Sequence, residues 1–406
     1  MQIRQCIVIG SVVFQLISVL PNSVAAAGPE ISGRASTVIE FYRNGQDKTA
    51  TPVYQYLMIN GLDLDRAGMN FRSYGRLATD LSNEEDVDSQ LYYAYLEKKG
   101  IVDNLDVKLG RQFLSTTAGA SIMDGVLLKY RNLGPFSVSL FGGGDVSYYE
   151  GYNAEDLIGG AEIRTTFLKS LGLGLSYLQK RKDSELTHEL IGLDADYNYQ
   201  DRLSLYSEVQ VNYLADTISY FHAGLNFHPT PDWSLRTEYL YSLPVFSASS
   251  IYSVFATDHY QEAMGEITYR LALGLNSFFR YHHEFYEETS DANVFEAGIE
   301  KIRTKNFSGY FSAVLRDDED GQDLQGFKAR GAYLLLENLQ CGLGVNINVL
   351  ERRIDNETDE TTSGRYWADV DYAWTRRIST QAILERVTET VHNDYFRGQA
   401  RLNISF

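Results

Sequence analysis

Charged side chains recur at every second position of several segments, and most residues of the alternate set are apolar or aromatic. Arg236 and Glu238 do so in WSLRTEYLY, and Asp369 and Asp371 in RYWADVDYAW. In a strand, alternate side chains point to the same side, so each segment would gather its charges on one face. Such a face can line a watery path or form cross-strand ion pairs. The predicted lining residues are Arg72, Arg76, Lys108, Arg164, Arg236, Glu238, Arg270, Arg280, Glu284, Lys328, Arg330, Asp369, Asp371, Arg397 and Arg401.

The two signs nearly balance once other acidic positions of these faces, such as Glu208, Glu266 and Glu296, are included. A dry interior could not hold so many charges, because each unpaired charge would cost several kcal/mol. The interior is therefore predicted to be wet or packed against a polar guest. Because strong ion selectivity needs rings of one sign, near-balance favours a weakly selective path or a stiffening ladder.

The sequence gives little support for catalysis or a cofactor. Its 7 histidines form no H-E-x-x-H pattern, and a G-x-S-x-G elbow is absent. No C-x-x-C-H haem attachment pattern occurs. The acidic run DDEDGQD lacks the terminal glutamate of a calcium-binding loop. We therefore expect no enzyme, no metal and no cofactor.

The ends and the charge of the chain restrict its location and partners. Residues 1–27 read as a signal peptide with an A-x-A cleavage site at Ala25 and Ala27; a membrane anchor is the alternative. Residues 28–406 are then predicted to form one domain. The formal net charge of −18 argues against a nucleic-acid partner.

Most of the chain alternates with a period of two. In CGLGVNINVLER, for example, Cys341, Leu343 and Val345 share one face and glycines and asparagines the other. A soluble β-sandwich also alternates. Segments of mostly 10 to 14 residues, with aromatics near their ends, favour a transmembrane barrel instead.

The expected fold is all-β: a single transmembrane antiparallel up-and-down β-barrel. The segments number about 22, with a range of roughly 16–22. Short turns such as HPTPD alternate with longer acidic loops such as RIDNETDETTSG. That alternation predicts short periplasmic turns, and an even number of strands then places both termini in the periplasm. Because strand patterning begins close to the cleavage site, no plug domain is expected.

The chain ends in DYFRGQARLNISF. Its apolar set Phe396, Leu402, Ile404 and Phe406 would face lipid, opposite Arg397 and Arg401. A terminal strand with a final phenylalanine resembles the signal read by the outer-membrane barrel insertion machinery. Over nearly its whole mature length the chain resembles Gram-negative outer-membrane porin-like barrels.

That resemblance implies an integral outer-membrane location, contact with lipid and lipopolysaccharide, and passive passage of small polar solutes or ions. Two other functions remain open. The barrel could be the sheath of a porin–cytochrome conduit, holding a periplasmic multihaem cytochrome for electron transfer. It could also be a structural or adhesive surface barrel that uses its acidic loops.

A wide barrel without a plug needs something to narrow it. The longest connection, SLPVFSASSIYSVFATD from Ser242 to Asp258, is unusually apolar and is predicted to fold into the lumen; packing on the outer rim is the alternative. The segment STTAGAS after Gln112 is a second, weaker candidate.

Overall fold

The computed structural model describes residues 29–65, 68–147, 151–167, 170–244, 259–287, 290–304, 306–318, 323–354, 357–390 and 394–406. The proposed signal peptide and residues 245–258 of the apolar connection lie outside these residues. Within the described ranges, no helix has the length and apolar character needed to cross a membrane.

The described chain consists almost entirely of strands, with one short 3₁₀ turn at Ala272–Gly274. The strands are β1 Glu30–Arg43, β2 Thr49–Ala50, β3 Pro52–Leu62, β4 Met69–Asp80, β5 Gln90–Lys98, β6 Leu105–Thr116, β7 Gly119–Leu133, β8 Phe136–Ser147, β9 Gly151–Phe167, β10 Leu171–Lys182, β11 Glu185–Tyr199, β12 Leu203–Asn212, β13 Thr217–Thr230, β14 Trp233–Ser242, β15 Tyr260–Arg270, β16 Leu275–Phe285, β17 Ala292–Thr304, β18 Phe307–Asp318, β19 Leu324–Leu336, β20 Leu339–Ile354, β21 Glu357–Ala373, β22 Ile378–Glu389 and β23 Tyr395–Ser405.

In the described residues, 22 of these strands form one closed antiparallel barrel, and β2 is an extra two-residue strand paired only to β1. From β3 to β23 each strand pairs with the next in sequence, and β1 pairs with β3 on one side and with β23 on the other. The predicted all-β, up-and-down antiparallel barrel of about 22 strands is therefore confirmed. The described chain begins and ends at the same end of the barrel, near Glu30 and at Phe406, and this end is called the terminal rim; the opposite end is the distal rim.

The two faces of the wall differ as the alternation predicts. Large apolar side chains of one face are exposed, for instance Leu343 at 69% and Leu384 at 50% of their area. On the other face, polar side chains two strands apart meet, as when Arg330 of β19 bonds Asp369 of β21. Side chains converge on the concave side of a curved sheet, so we identify the polar face with the lumen.

Several aromatic pairs of the outer face lie near the strand ends. At the terminal rim, the rings of Trp233 and Tyr269 lie 4.6 Å apart, as do those of Tyr372 and Trp374. Near the distal rim, the rings of Phe221 and Tyr239 lie 6.0 Å apart. This arrangement matches the two aromatic girdles typical of barrels that cross a bilayer.

The barrel closes at a seam between β1 and β23, from Arg34 opposite Ser405 to Phe41 opposite Gly398. Phe406 extends this pairing, because its N–H and C=O both bond the backbone of Gly33, at 3.0 and 2.9 Å. Its ring lies over Gly33, where an added Cβ would be 2.5 Å from the ring carbon Cζ. The glycine therefore makes room for the terminal phenylalanine.

We expect Gly33→Val to lower the free energy of unfolding by about 1–3 kcal/mol, the usual cost of overpacking. The added side chain would collide with the Phe406 ring and with the carbonyl oxygen of Met58, also 2.5 Å away. The measurement is a denaturant titration in which the folded and unfolded forms are distinguished by their gel mobility. Gly265→Val is the matched control, since nothing lies within 4 Å of a Cβ there. Equal destabilisation by both variants would contradict this account of the seam.

Candidate functional site

The hairpin formed by β6 and β7 leaves the wall of the barrel. Strand β5 pairs with β6 only between Lys98–Val107 and Ala94–Arg111, although β6 continues to Thr116. The two strands of the hairpin stay paired to each other as far as Thr116 and Gly119. Beyond Arg111, β6 therefore no longer pairs with β5, and the hairpin turns away from that side of the wall.

The tip of this hairpin lies on the lumen face of β10, β11 and β12. The amide of Ala118 donates to Ser176 Oγ at 2.8 Å, and Gln210 Nε2 donates to the Ala118 carbonyl at 2.9 Å. Thr117 Oγ1 donates to Asp194 Oδ1 at 2.5 Å. Gly192 lies directly beneath, where an added Cβ would be 2.2 Å from the Ala118 nitrogen. Both backbone groups of Ala118 are thus satisfied by the opposite wall.

An apolar cluster holds the hairpin against the wall. Leu114, Ala118 and Met123 of the hairpin are buried to 2% exposure or less. They pack on lumen-facing side chains of the next strands, which are Phe141, Ile158, Leu178 and Leu190. This cluster fixes the hairpin by burying apolar area that water in the lumen would otherwise contact.

Three glycines in register mark the line of the bend. Gly110 of β6 pairs with Gly125 of β7, which pairs with Gly143 of β8. Gly110 has a φ of 122°, which disfavours any residue with a side chain. An added Cβ on Gly125 would lie 2.2 Å from the Gly142 carbonyl oxygen. Absent side chains at these positions let the strands approach closely while the hairpin turns away from the wall.

Arg111 lies at the point where β6 separates from β5. Its guanidinium donates to both carboxylate oxygens of Asp124 across the hairpin, at 2.8 and 2.6 Å. It also donates to the backbone carbonyl of Leu91 at 3.3 Å. That carbonyl lies on β5 beyond the last residue that pairs with β6. The side chain therefore replaces a ladder bond that β5 loses when β6 leaves it.

Most of the remaining lumen wall is a network of ion pairs. Arg280 bonds Glu266 and Glu296, with N–O distances of 2.5 and 2.9 Å, and Lys328 reaches the second oxygen of Glu296 at 3.1 Å. Glu385 accepts from both Arg365 and Arg397. These contacts join strands laterally and keep the charges compensated, so they stiffen the wall.

All the predicted lining residues lie on the polar face of their strands. Those that form ion pairs are Lys108, Arg164, Arg236, Glu238, Arg280, Glu284, Lys328, Arg330, Asp369 and Arg397. Arg72, Arg76, Arg270, Asp371 and Arg401 lie on the same face. Their part in solute passage stays a prediction.

The structure places one of the two predicted constrictions. STTAGAS, the weaker candidate, is the tip that folds inward. The Ser242–Asp258 connection is described only as far as residue 244. What the sequence did not reveal is the partner surface: nothing in STTAGAS indicates that it bonds Ser176, Asp194 and Gln210. The small residues of the segment are its one visible signal, since they permit close packing on another sheet.

The tip can be tested by cross-linking. In a Cys341→Ser background, we expect Ala118→Cys with Ser176→Cys to form a disulfide on mild oxidation, because the two positions contact each other directly. Ala118→Cys with Ser204→Cys is the control, since Ser204 faces the lumen near the other end of β12. The measurement is the disulfide-linked peptide by mass spectrometry. Cross-linking of both pairs to the same extent, or of neither, would mean that the tip does not rest on β10.

Comparisons with known proteins agree with the barrel. No protein-family model matches the chain, and no curated protein matches it significantly. Among solved structures, Acinetobacter baumannii OccAB3 aligns over 94% of this chain and 100% of its own, with a TM-score of 0.50 and 10% identity. A chain of the E. coli P pilus tip assembly intermediate PapC–PapD–PapK–PapG aligns over 95% of this chain and 62% of its own, with a TM-score of 0.53 and 10% identity.

Pseudomonas aeruginosa OccK3 (OpdO) is similar at a lower level, with a TM-score of 0.47 and 14% identity over 93% of this chain and 95% of its own. At such identities the likeness concerns the fold and not the ligand. Together with the closed sheet, the likeness to OccAB3 supports one fold for the described residues, a closed 22-stranded antiparallel β-barrel.

Proposed function

We propose that the protein is an integral outer-membrane channel for the passive passage of small polar solutes, narrowed by its own β6–β7 hairpin. The observation that carries the proposal is the hairpin tip bonded across the lumen face to Ser176, Asp194 and Gln210. A barrel that served only as a wall would gain nothing from an inward fold that costs ladder bonds. A channel gains a reduced cross-section and a defined position for polar side chains.

The membrane location rests on the outer face. A continuous surface of exposed leucine, isoleucine, valine and phenylalanine is unfavourable in water, and hydrocarbon removes that cost. The terminal rim would face the periplasm, since its connections include short ones such as residues 231–232 and 337–338.

The same proposal includes a signal peptide at residues 1–27 and contact with lipopolysaccharide. It also includes recognition by the insertion machinery of the terminal strand, through Phe396, Leu402, Ile404 and Phe406.

The inward hairpin favours a channel over the sheath hypothesis. A multihaem cytochrome would need the space that the tip and its apolar cluster occupy. None of the described contacts favours an adhesive role. The proposed passage needs no catalysis and no cofactor.

Shortening the hairpin tests the channel directly. We expect replacement of residues 115–120 by a two-residue Asn-Gly turn to raise single-channel conductance in planar lipid bilayers, because the tip no longer reaches β10–β12. The same replacement of residues 213–216, the turn between β12 and β13, serves as the control and should leave conductance unchanged. A folded wild-type barrel that conducts no ions, or a shortened one that conducts no better, would refute the proposed channel.

Charge placed on either face tests the membrane contact. We expect Leu384→Arg to lower the free energy of unfolding from phospholipid bilayers by about 2–4 kcal/mol, because the charge would enter hydrocarbon. Its neighbour Ile383 lies on the lumen face opposite Asp369. Ile383→Arg should therefore cost much less in the same denaturant titration. If Ile383→Arg lowered the free energy of unfolding more than Leu384→Arg, the assignment of the Leu384 face to lipid would be wrong.

A further inference from the structure

The lumen wall formed by β3, β4 and β5 differs from the rest, because it is lined by tyrosines in mutual contact. The rings of Tyr56 and Tyr74 lie 6.1 Å apart and nearly parallel, at 18°. Tyr74 continues to Tyr92 at 4.9 Å and to Tyr93 at 5.9 Å. At the two ends the track is extended by Tyr54, 6.3 Å from Tyr56, and by Tyr95, 5.8 Å from Tyr93.

Arginines without acidic partners lie on this wall, on β4, and on the neighbouring strands β1 and β23. On the described lumen face, Arg34, Arg72, Arg76 and Arg401 have no carboxylate oxygen within 4.0 Å, in contrast to the paired arginines of β9, β16 and β19. Arg76 instead lies over the ring of Tyr54, with Cζ 5.2 Å from its centroid. This part of the wall is therefore electropositive.

Two acidic groups on strands β1 and β5 of this region contact other side chains. Glu40 of β1 accepts a hydrogen bond from Gln399 at 2.5 Å, and Glu97 of β5 lies 3.8 Å from Lys108. Neither carboxylate reaches one of the four arginines.

A cleft of about 340 Å³ lies where the arginines and tyrosines meet, lined by Arg34, Ser36, Tyr56, Met58, Tyr74 and Arg401. The Nε of Arg401 is buried, and among the described residues it has no hydrogen-bond partner. A buried donor without a partner costs free energy, and an anionic ligand in the cleft would supply the missing acceptor.

The track borders the side of the lumen that the hairpin leaves open. Tyr95 pairs with Gly110, the first glycine of the bend, and from there the hairpin leans away over β8–β12. The lumen face of β3–β5 is consequently not covered by the tip. A solute that passes the hairpin meets this wall.

We infer that the tyrosine track and its arginines form a binding site for acidic oligosaccharides, in which sugar rings stack on the tyrosines and carboxylate groups pair with Arg34 and Arg401. This inference rests on the proposed channel, whose solute class it defines. Stacked rings extending over three strands match a ligand with several rings in a row. Hydroxyls on every ring of the track match a ligand rich in hydroxyl groups. Guanidinium groups that have no carboxylate partner favour a ligand with negative charge.

The test is the block of ion current through the reconstituted full-length barrel by added tetragalacturonate, with neutral maltotetraose and with benzoate as comparison probes. Tetragalacturonate is expected to block at the lowest concentration. Tyr74→Leu should raise its half-blocking concentration roughly three- to tenfold, since one aromatic contact is lost. Arg401→Gln should raise it about tenfold or more, since a charge-assisted bond is lost.

Matched controls lie on other parts of the lumen wall. Tyr220→Leu on β13 and Arg330→Gln on β19 should leave the half-blocking concentration of tetragalacturonate within about twofold of the wild type, a change of only a few tenths of a kcal/mol. Tyr74→Phe should retain most of the affinity, because it keeps the stacking surface and loses one hydroxyl.

The possible failures are distinguishable. Normal conductance with equal block by all three probes would overturn the site and leave the channel intact. Stronger block by benzoate would replace the saccharide with an aromatic acid and overturn the inference. If the barrel conducts nothing, the channel fails, and calorimetric titration of the detergent-solubilised protein with tetragalacturonate decides the site separately: binding weakened by Tyr74→Leu supports it, and no binding overturns it.

Discussion

The closure of the sheet is the constraint on which the rest of this structure depends. A strand in hydrocarbon has no water to satisfy its backbone, so each N–H and C=O must bond a neighbouring strand. The seam between β1 and β23 meets that requirement, and the backbone bonds between Phe406 and Gly33 extend it to the last residue. Once the ring is closed, it has an inside and an outside, and alternation along every strand assigns side chains to each.

The β6–β7 hairpin departs from the rule that every strand pairs with both neighbours. Its distal part gives up ladder bonds to β5, which it could do only where the lost bonds are replaced. Arg111 bonds the carbonyl of Leu91, and Ser176 and Gln210 bond the two backbone groups of Ala118. The buried apolar cluster then fixes the position of the hairpin. A constriction built in this way is part of the fold and not a loose loop across the pore.

The charges of the lumen divide into two kinds. On much of the wall, arginines are held by carboxylates from neighbouring strands, and their main effect is to stiffen the barrel. Beside the tyrosine track, four arginines have tyrosines, amides or no partner instead of carboxylates. Side chains held in ion pairs offer little to a passing solute, whereas guanidinium groups without a carboxylate partner can bind an anionic one. The proposed selectivity therefore follows from how the charges are paired, and not from their number.

The sequence by itself determined the barrel, the approximate strand number and the strand face on which the predicted lining residues lie. These follow from local rules: period-two alternation, strand length and the residues found in turns act within one strand and its nearest neighbours. It also marked STTAGAS as the weaker of two candidate constrictions. Only the tertiary structure decided that this segment rests on β10–β12, that Gly110, Gly125 and Gly143 fall in one line, and that Tyr56, Tyr74 and Tyr92 stack. Those facts depend on register between strands and on contacts across the lumen, which bring together residues far apart in the chain and leave no periodic signal in it.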